Sequence, residues 1–157
     1  MEEKVLVFDM DGTLADFYGV GGWLSDLQAE NVRPYVIAKP LLDMDVLATA
    51  LNMLKDFGYR IVVTSWLARG GSKEFNDRTR LAKLEWLDRY GFPYDEIHLV
   101  KYGTTKANCT RKLNGYQILF DDNEKIRKGW NLGQAVDAKD LNKTIFEILL
   151  KEIEKRG

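Results

Sequence analysis

The chain is poor in cysteine and in long apolar runs. Its 157 residues include one cysteine, Cys109, so no disulfide can form within the chain, and this suits a reducing compartment. No apolar run approaches the roughly 18 residues needed to cross a membrane. The start, Met1-Glu2-Glu3-Lys4, lacks the basic and apolar regions of a signal peptide. We therefore expect a cytoplasmic protein with no membrane partner.

Excess charge of either sign is also missing. The formal net charge is −1, from 23 basic and 24 acidic residues. A broad basic face for nucleic acid is therefore not expected, and we predict no stable nucleic-acid binding. The apolar fraction of 45% is ordinary for a globular protein, and the length suits one domain over residues 1–157.

Strand-like runs alternate with helical patterns along the chain. The predicted strands are Lys4–Phe8, Arg60–Thr64, Ile97–Val100, Tyr116–Phe120 and Gln134–Val136. The predicted helices are Asp43–Phe57, Ser72–Tyr90, Thr104–Leu113 and Leu141–Lys155, with a short turn after Asn123. Such alternation predicts βαβ units and an α/β fold with a parallel sheet covered on both faces.

The apolar positions also predict which side of each helix is buried. In the helix Ser72–Tyr90, leucines 81, 84 and 87 with Tyr90 form a stripe, and we expect its charged residues around the other side. In the first and last helices, Val46 and Ile153 belong to the predicted inward faces. His98 and Cys109 are interpreted as structural residues.

One segment breaks the alternation. Residues 17–42 contain three glycines and two prolines, and they are too long for an ordinary βα loop of 2–6 residues. They are also too short for a domain. We interpret them as an inserted flap, with a helix around Gly22–Glu30.

The most informative stretch is Val5-Leu6-Val7-Phe8-Asp9-Met10-Asp11-Gly12-Thr13. A buried strand that ends in two carboxylates needs a cation or shifted pKa values, because unpaired charges in a dry site are too costly. Gly12 permits a tight turn close to a ligand. A solvated Asp-Gly turn would explain this pair alone, but the rest of the chain argues for a site.

Three further polar clusters are expected at the same edge of the sheet. Thr64 and Ser65 close the second strand, Lys106 opens the helix before the fourth, and Asp121 and Asp122 close the fourth. Each has an ordinary explanation as a cap or a solvated side chain. Together, however, they suit phosphoryl transfer, since carboxylates hold Mg²⁺ while hydroxyls, amides and a lysine hold phosphate.

The order of these motifs resembles that of the haloacid dehalogenase (HAD) superfamily. Asp9 to Phe17 looks more narrowly like the deoxyribonucleotidase (type C 5′-nucleotidase) branch, although this chain has Thr13 and Trp66 where that branch commonly has Val and Pro. The resemblance implies a three-layer Rossmann-like (HAD-like) sheet of order 5-4-1-2-3. It also implies one hydrolase domain over residues 1–157, with residues 17–42 as a small cap.

The resemblance also implies roles for individual residues. Asp9 is the expected nucleophile and a metal ligand. Asp11 is the expected acid and then base, gives its backbone carbonyl to the metal, and has a pKa that we expect Asp9 and Asp122 to raise by repulsion. The remaining implied roles are phosphate binding by Thr64, Ser65, Lys106 and the amides around Met10, and Mg²⁺ binding by Asp122, with Asp121 sharing that role or supporting it.

The expected function is Mg²⁺-dependent hydrolysis of a phosphomonoester through an aspartyl-phosphate. The preferred substrate is a small one, a (deoxy)nucleoside 5′-monophosphate. Phe17, Trp23 and Trp66 are candidates for contacting its base or sugar, with Tyr18 and Tyr35 beside them, although packing of the flap would also explain each aromatic.

Several alternatives stay open. The substrate could instead be a nucleic-acid 3′-phosphate end, a sugar phosphate or a phosphoprotein, and a phosphomutase or a non-catalytic phosphate-binding regulatory module would share the motifs. A signalling receiver domain is disfavoured, because no Asp follows the third strand in Val100-Lys101-Tyr102-Gly103.

Overall fold

Five parallel strands form the centre of the molecule. In the computed structural model, which describes residues 4–157, they lie in the order β3-β2-β1-β4-β5, so the predicted order is confirmed when the sheet is followed from its other edge. The strands are β1 (Lys4–Phe8), β2 (Tyr59–Trp66), β3 (Glu96–Val100), β4 (Tyr116–Asp121) and β5 (Gly133–Asp137). Residues 1–3, which belong to the start expected to lack a signal peptide, lie outside the described residues.

The helices cover both faces of this sheet. They are α1 (Trp23–Gln28), α2 (Arg33–Ile37), α3 (Met44–Asp56), α4 (Lys73–Arg89), α5 (Ala107–Thr110), α6 (Glu124–Lys128) and α7 (Leu141–Arg156), with a 3₁₀ turn at Ala138–Asp140. Asp43 and Ser72 cap α3 and α4, because their side chains accept the amide hydrogens of Val46 and Phe75. Within residues 4–157, no helix has the length and apolar character that a membrane crossing requires.

The helix α5 is shorter than the predicted span Thr104–Leu113. Only four residues are helical, and the chain turns again after Thr110. The reason lies in the composition, since threonine, asparagine and cysteine are weak helix formers and Gly115 follows closely. The shorter helix still begins directly after Lys106.

The central strand β1 contributes to two separate cores. Leu6 and Phe8 point to the face that α3, α4 and α7 cover, whereas Val5 and Val7 point to the face of α5 and α6. This alternation follows from the two-residue period of a strand. Because β1 is buried on both sides, the residues that follow it are held rigidly.

The predicted stripe of α4 is wrong in part. Leu81 is 57% exposed, and the buried face instead carries Phe75, Thr79, Ala82, Lys83, Trp86 and Leu87. The reason is that α4 packs against residues 17–42 as well as against the sheet, so its buried face is turned away from Leu81. Val46 and Ile153 are likewise 47% and 41% exposed, contrary to expectation.

Backbone hydrogen bonds join the two ends of the segment formed by residues 17–42. Asp16 N donates to Lys39 O at 2.7 Å, and Leu41 N donates to Leu14 O at 2.8 Å. The segment contains α1, inside the predicted helix Gly22–Glu30, and α2. It is fixed to α4 by the indole N–H of Trp86, which donates to Ala38 O at 2.8 Å.

Candidate active site

The carboxyl ends of β1 and β4 bring three acidic residues and a lysine together. The Nζ atom of Lys106 lies 2.8 Å from Asp9 Oδ1 and 2.8 Å from Asp121 Oδ2. All three side chains are buried. Although burial lowers the pKa of Lys106, the charges of Asp9 and Asp121 outweigh it and raise the pKa above its usual value. Lys106 is therefore a permanent cation between two carboxylates.

One lysine does not balance the acidic residues at this edge. One oxygen each of Asp9, Asp121 and Asp122 lies within 4.8 Å of the others. Burial and then the charge of Asp9 raise the pKa of Asp121. Partial burial, a hydrogen bond with Asp9 and the charges of Asp9 and Asp121 raise the pKa of Asp122 to about 8. Three crowded oxygen donors fit a hard divalent cation such as Mg²⁺.

Gly12 lets the loop that follows β1 lie close to the loop that follows β4. Its φ of +81° lies in the left-handed region, which disfavours side chains. A Cβ atom built on Gly12 would lie only 2.3 Å from Asp122 Oδ2. The glycine that the sequence marked as a tight turn thus also makes room for Asp122.

Asp11 lies apart from the acidic triad and has its own cation. Its Oδ2 accepts a hydrogen bond from Lys83 Nζ at 2.9 Å. Burial is the main cause that raises the pKa of Asp11, while Lys83 opposes it and repulsion from Asp9 contributes less. The expected repulsion by Asp9 is therefore present, but desolvation of the carboxyl group is the larger cause, and Asp122 is not among the causes.

The two hydroxyl residues of β2 face different surroundings. Ser65 lines the cavity above Asp9, together with Lys106. Thr64 is fully buried, does not line this cavity, and its hydroxyl has no hydrogen-bond partner among the described residues. Neighbouring residues of a strand point to opposite sides, which accounts for the difference. Met10 is buried beneath the site, and its carbonyl accepts three amide hydrogen bonds of the following turn.

A cavity of about 540 Å³ opens above these groups. Its size suits a small organic ligand. The three aromatic residues proposed as substrate contacts, Phe17, Trp23 and Trp66, all line it. Phe17 is mostly buried and stacks on Tyr35 with ring centroids 4.7 Å apart, whereas Tyr18 is 53% exposed. Phe17 thus contributes to packing against Tyr35, whereas the Tyr18 ring is open to solvent.

Sequence reasoning missed several groups at this site. Lys83 was assigned to the charged side of α4, yet it is fully buried and contacts Asp11. Thr13 donates its hydroxyl hydrogen to Asp9 Oδ2 at 2.9 Å, and Arg69 and Tyr102 line the cavity. One signal for Lys83 was available, because it falls four residues after Thr79 and three before Trp86, on one helical face.

Comparison with known proteins supports the fold. No protein-family model matches the chain, and no curated protein matches it. Among solved structures, it is similar to a D,D-heptose 1,7-bisphosphate phosphatase from Burkholderia thailandensis, with a TM-score of 0.51 and 17% sequence identity. The match covers 84% of this chain and 75% of that one. At this identity the likeness establishes the α/β, three-layer Rossmann-like fold and nothing finer.

Proposed function

We propose that this protein is a phosphomonoester hydrolase of the HAD superfamily that uses Mg²⁺ and an aspartyl-phosphate intermediate. The observation that carries the proposal is the convergence of Asp9, Lys106, Asp121 and Asp122 at one end of the sheet. The motif order that resembles this superfamily supports it, as does the phosphatase with a similar fold.

The charges of the site suit this reaction. When all six groups are ionised, four carboxylates (Asp9, Asp11, Asp121 and Asp122) face two lysines (Lys83 and Lys106), which leaves two negative charges. A bound Mg²⁺ would offset these charges and screen the phosphate from Asp9. Asp9, Asp122 and Asp121 would hold the ion, together with the backbone carbonyl of Asp11.

The residues around Asp9 supply the remaining steps. A carboxylate oxygen of Asp9 attacks phosphorus and the bond to the leaving oxygen breaks, while the carboxyl group of Asp11 gives that oxygen its proton. Asp11 then takes a proton from the water that attacks the phosphorus of the aspartyl-phosphate. The bond from phosphorus to the Asp9 oxygen breaks, which releases inorganic phosphate and restores the Asp9 carboxylate. In both steps, Lys106, the Ser65 hydroxyl and the amides around Met10 bind the phosphate oxygens. Because Thr64 does not line the cavity, its role in this proposal is to support β2 rather than to bind phosphate.

The cavity above Asp9 favours a substrate with a ring-shaped leaving group. Its wall carries Phe17, Tyr18, Trp23, Trp66 and Tyr102, and such rings stack well on a nucleobase or cover a sugar. We therefore propose a (deoxy)nucleoside 5′-monophosphate as the substrate, with residues 17–42 acting as a small cap that limits access of water.

The test is phosphate release from a panel of nucleoside 5′- and 3′-monophosphates, sugar phosphates, 3′-phosphorylated oligonucleotides and a phosphopeptide. Turnover that needs Mg²⁺ and is fastest for a nucleoside 5′-monophosphate supports the proposal. Faster turnover of a sugar phosphate would retain the reaction but reject the nucleotide. Lack of turnover of every compound with Mg²⁺ present would reject the enzyme class.

A further inference from the structure

The fully buried Lys83 has no part in the steps described above. It lies on α4, beneath the cavity, and it does not line the cavity itself. A buried ammonium group is expensive to desolvate, and a well-packed apolar residue in its place is often neutral or stabilising. The presence of a lysine here therefore calls for a functional explanation.

Its three donors are fully used. Lys83 Nζ lies 2.7 Å from Ser65 Oγ, 2.8 Å from the backbone oxygen of Trp66 and 2.9 Å from Asp11 Oδ2. Two of these acceptors belong to the end of β2, which is a rigid strand of the central sheet. The ring of Tyr35 lies 5.0 Å from Nζ and covers a further side of the ammonium group. The ammonium group is thus fixed to β2, and only its third contact reaches the β1 loop.

Asp11 depends on this contact for its orientation. Within residues 4–157, its carboxyl group forms no other side-chain hydrogen bond. Among the described residues, Lys83 is the only cation that contacts it, since Lys106 contacts Asp9 and Asp121 instead. Without Lys83, the carboxyl group would be free to rotate away from the cavity, because nothing else in the described chain holds it.

We propose that Lys83 is a positioning residue that holds the carboxyl group of Asp11 towards the leaving group of the substrate. This rests on the proposed function, in which Asp11 donates the proton that the leaving oxygen needs. The effect of losing Lys83 should therefore depend on how much the leaving group needs that proton. An alkoxide leaving group needs it strongly, whereas p-nitrophenolate leaves readily without it.

The experiment compares Lys83→Met with wild type on two substrates, the alkyl phosphate that wild type turns over fastest and p-nitrophenyl phosphate. We expect kcat for the alkyl phosphate to fall by about 10²–10³-fold, as for loss of a general acid. For p-nitrophenyl phosphate we expect a loss of less than about tenfold, and for both substrates a KM within about threefold of wild type. A purely structural role would instead lower both activities together.

Two variants of the same helix serve as matched controls. Lys73→Met removes an exposed lysine of α4. Thr79→Val replaces a buried hydroxyl one turn before Lys83, and within the described part of the chain this hydroxyl has no hydrogen-bond partner. Both should keep wild-type turnover of both substrates. Melting temperatures and orthovanadate binding, followed by tryptophan fluorescence, show whether each variant is folded with an intact phosphate site.

A double variant keeps the test decisive if Lys83→Met leaves Asp11 unpaired and the chain fails to fold. Asp11→Asn and the pair Asp11→Asn with Lys83→Met should hydrolyse the alkyl phosphate at equal rates, because the proposed effect of Lys83 on turnover runs through Asp11. The bond from Lys83 uses Ser65 Oγ only as an acceptor, so the Ser65 hydroxyl hydrogen stays free to bind phosphate with or without the lysine. A further loss of tenfold or more in the double variant would overturn the proposal, as would equal losses on both substrates in Lys83→Met. Absence of any turnover in wild type would instead overturn the proposed function, and the inference with it.

Discussion

Two clusters of buried charge lie at opposite ends of the same sheet. At the amino end, the single carboxylate of Glu152 in α7 accepts from Lys4 Nζ at 3.1 Å and from Tyr59 OH at 2.9 Å. Lys155 and Arg156 lie 3.5 and 3.6 Å from it. At the carboxyl end, the ratio is reversed, because Lys106 lies between Asp9 and Asp121, with Asp122 beside them.

The pKa shifts show which of the two clusters has its carboxylate charge balanced by its own residues. Burial raises the pKa of Glu152, but its hydrogen bonds from Lys4 and Tyr59 prevail and hold the pKa below its usual value. Asp121 and Asp122 have raised pKa values instead, because their surroundings oppose ionisation. The amino end therefore stabilises the fold, whereas the carboxyl end would be stabilised by an added cation.

The largest effect is expected from removing Lys106 at the carboxyl end, with removal of Lys4 at the amino end as the comparison. Lys106→Met leaves buried carboxylates without a cation, so we expect about 3–5 kcal/mol of destabilisation and loss of phosphate release. Lys4→Met removes a half-exposed partner of Glu152 and should cost only about 0.2–1 kcal/mol, with turnover unchanged. Chemical denaturation and phosphate-release assays check both. Turnover in Lys106→Met that equals that in Lys4→Met would contradict the account.

The second prediction concerns the room for Asp122. Gly12→Ala and Gly22→Ala place a side chain at nearly the same backbone angle, with φ of +81° and +80°. Both should lose about 1–2 kcal/mol of stability. Only Gly12→Ala also displaces Asp122, so its turnover should fall by about 10²-fold, as for a 1 Å misplacement in a site.

Gly22 is the matched control, because an added Cβ there meets nothing within 4 Å. The Mg²⁺ concentration for half-maximal activity should rise in Gly12→Ala and stay at the wild-type value in Gly22→Ala. Equal turnover in the two variants would show that Asp122 has no part in metal binding.

The third prediction concerns residues 17–42, which line part of the cavity at the carboxyl end of the sheet. Trp86→Phe leaves Ala38 O without its donor, at a cost of about 1–3 kcal/mol. Since residues 17–42 would be less firmly fixed to α4, KM should rise more than kcat falls. Trp130→Phe is the control, because its indole N–H also donates to a backbone oxygen, that of Gln117, but against the other face of the sheet. A rise in KM for both variants would show that the contact between residues 17–42 and α4 has no specific role in substrate binding.

The smallest effect is a pH dependence at the amino end. Because the pKa of Glu152 is lowered in the folded protein, its contribution to stability is present above the usual value of 4.5 and is lost as pH falls through the folded pKa. Glu152→Gln should therefore flatten the loss of stability in acid, as measured by denaturation from pH 6 down to about pH 3. If wild type and Glu152→Gln lost stability in parallel as the pH falls, the proposed contribution of Glu152 would be contradicted.

The parts of the molecule that the sequence predicted follow from short-range signals. The apolar run before Asp9 predicts β1, and the capping residues Asp43 and Ser72 mark the starts of the helices α3 and α4. In a parallel sheet, the carboxyl ends of neighbouring strands meet at one edge, so Asp9 and Asp121 were expected to lie close together once the strand order implied by the resemblance placed β4 beside β1. The strands were therefore predicted from the residues, whereas the strand order, and with it the acidic edge, was predicted from the resemblance.

The parts it missed depend on long-range packing. Lys83 is 72 residues from Asp11, and a lysine within a helix is ordinarily solvated. Its burial depends on how residues 17–42 lie over α4, which turned the buried face away from Leu81. Neither the apolar period of α4 nor the composition of the insert specifies that contact.

The most direct test of the central claim concerns Asp9. Wild-type protein mixed with Mg²⁺ and its best substrate, then quenched in acid, should carry a phosphoryl group on the peptide that contains Asp9 when examined by mass spectrometry. Asp9→Asn should carry none and should lose turnover by at least about 10⁴-fold while keeping its melting temperature. Undiminished phosphate release by Asp9→Asn, or a phosphoryl group on another residue, would contradict the account.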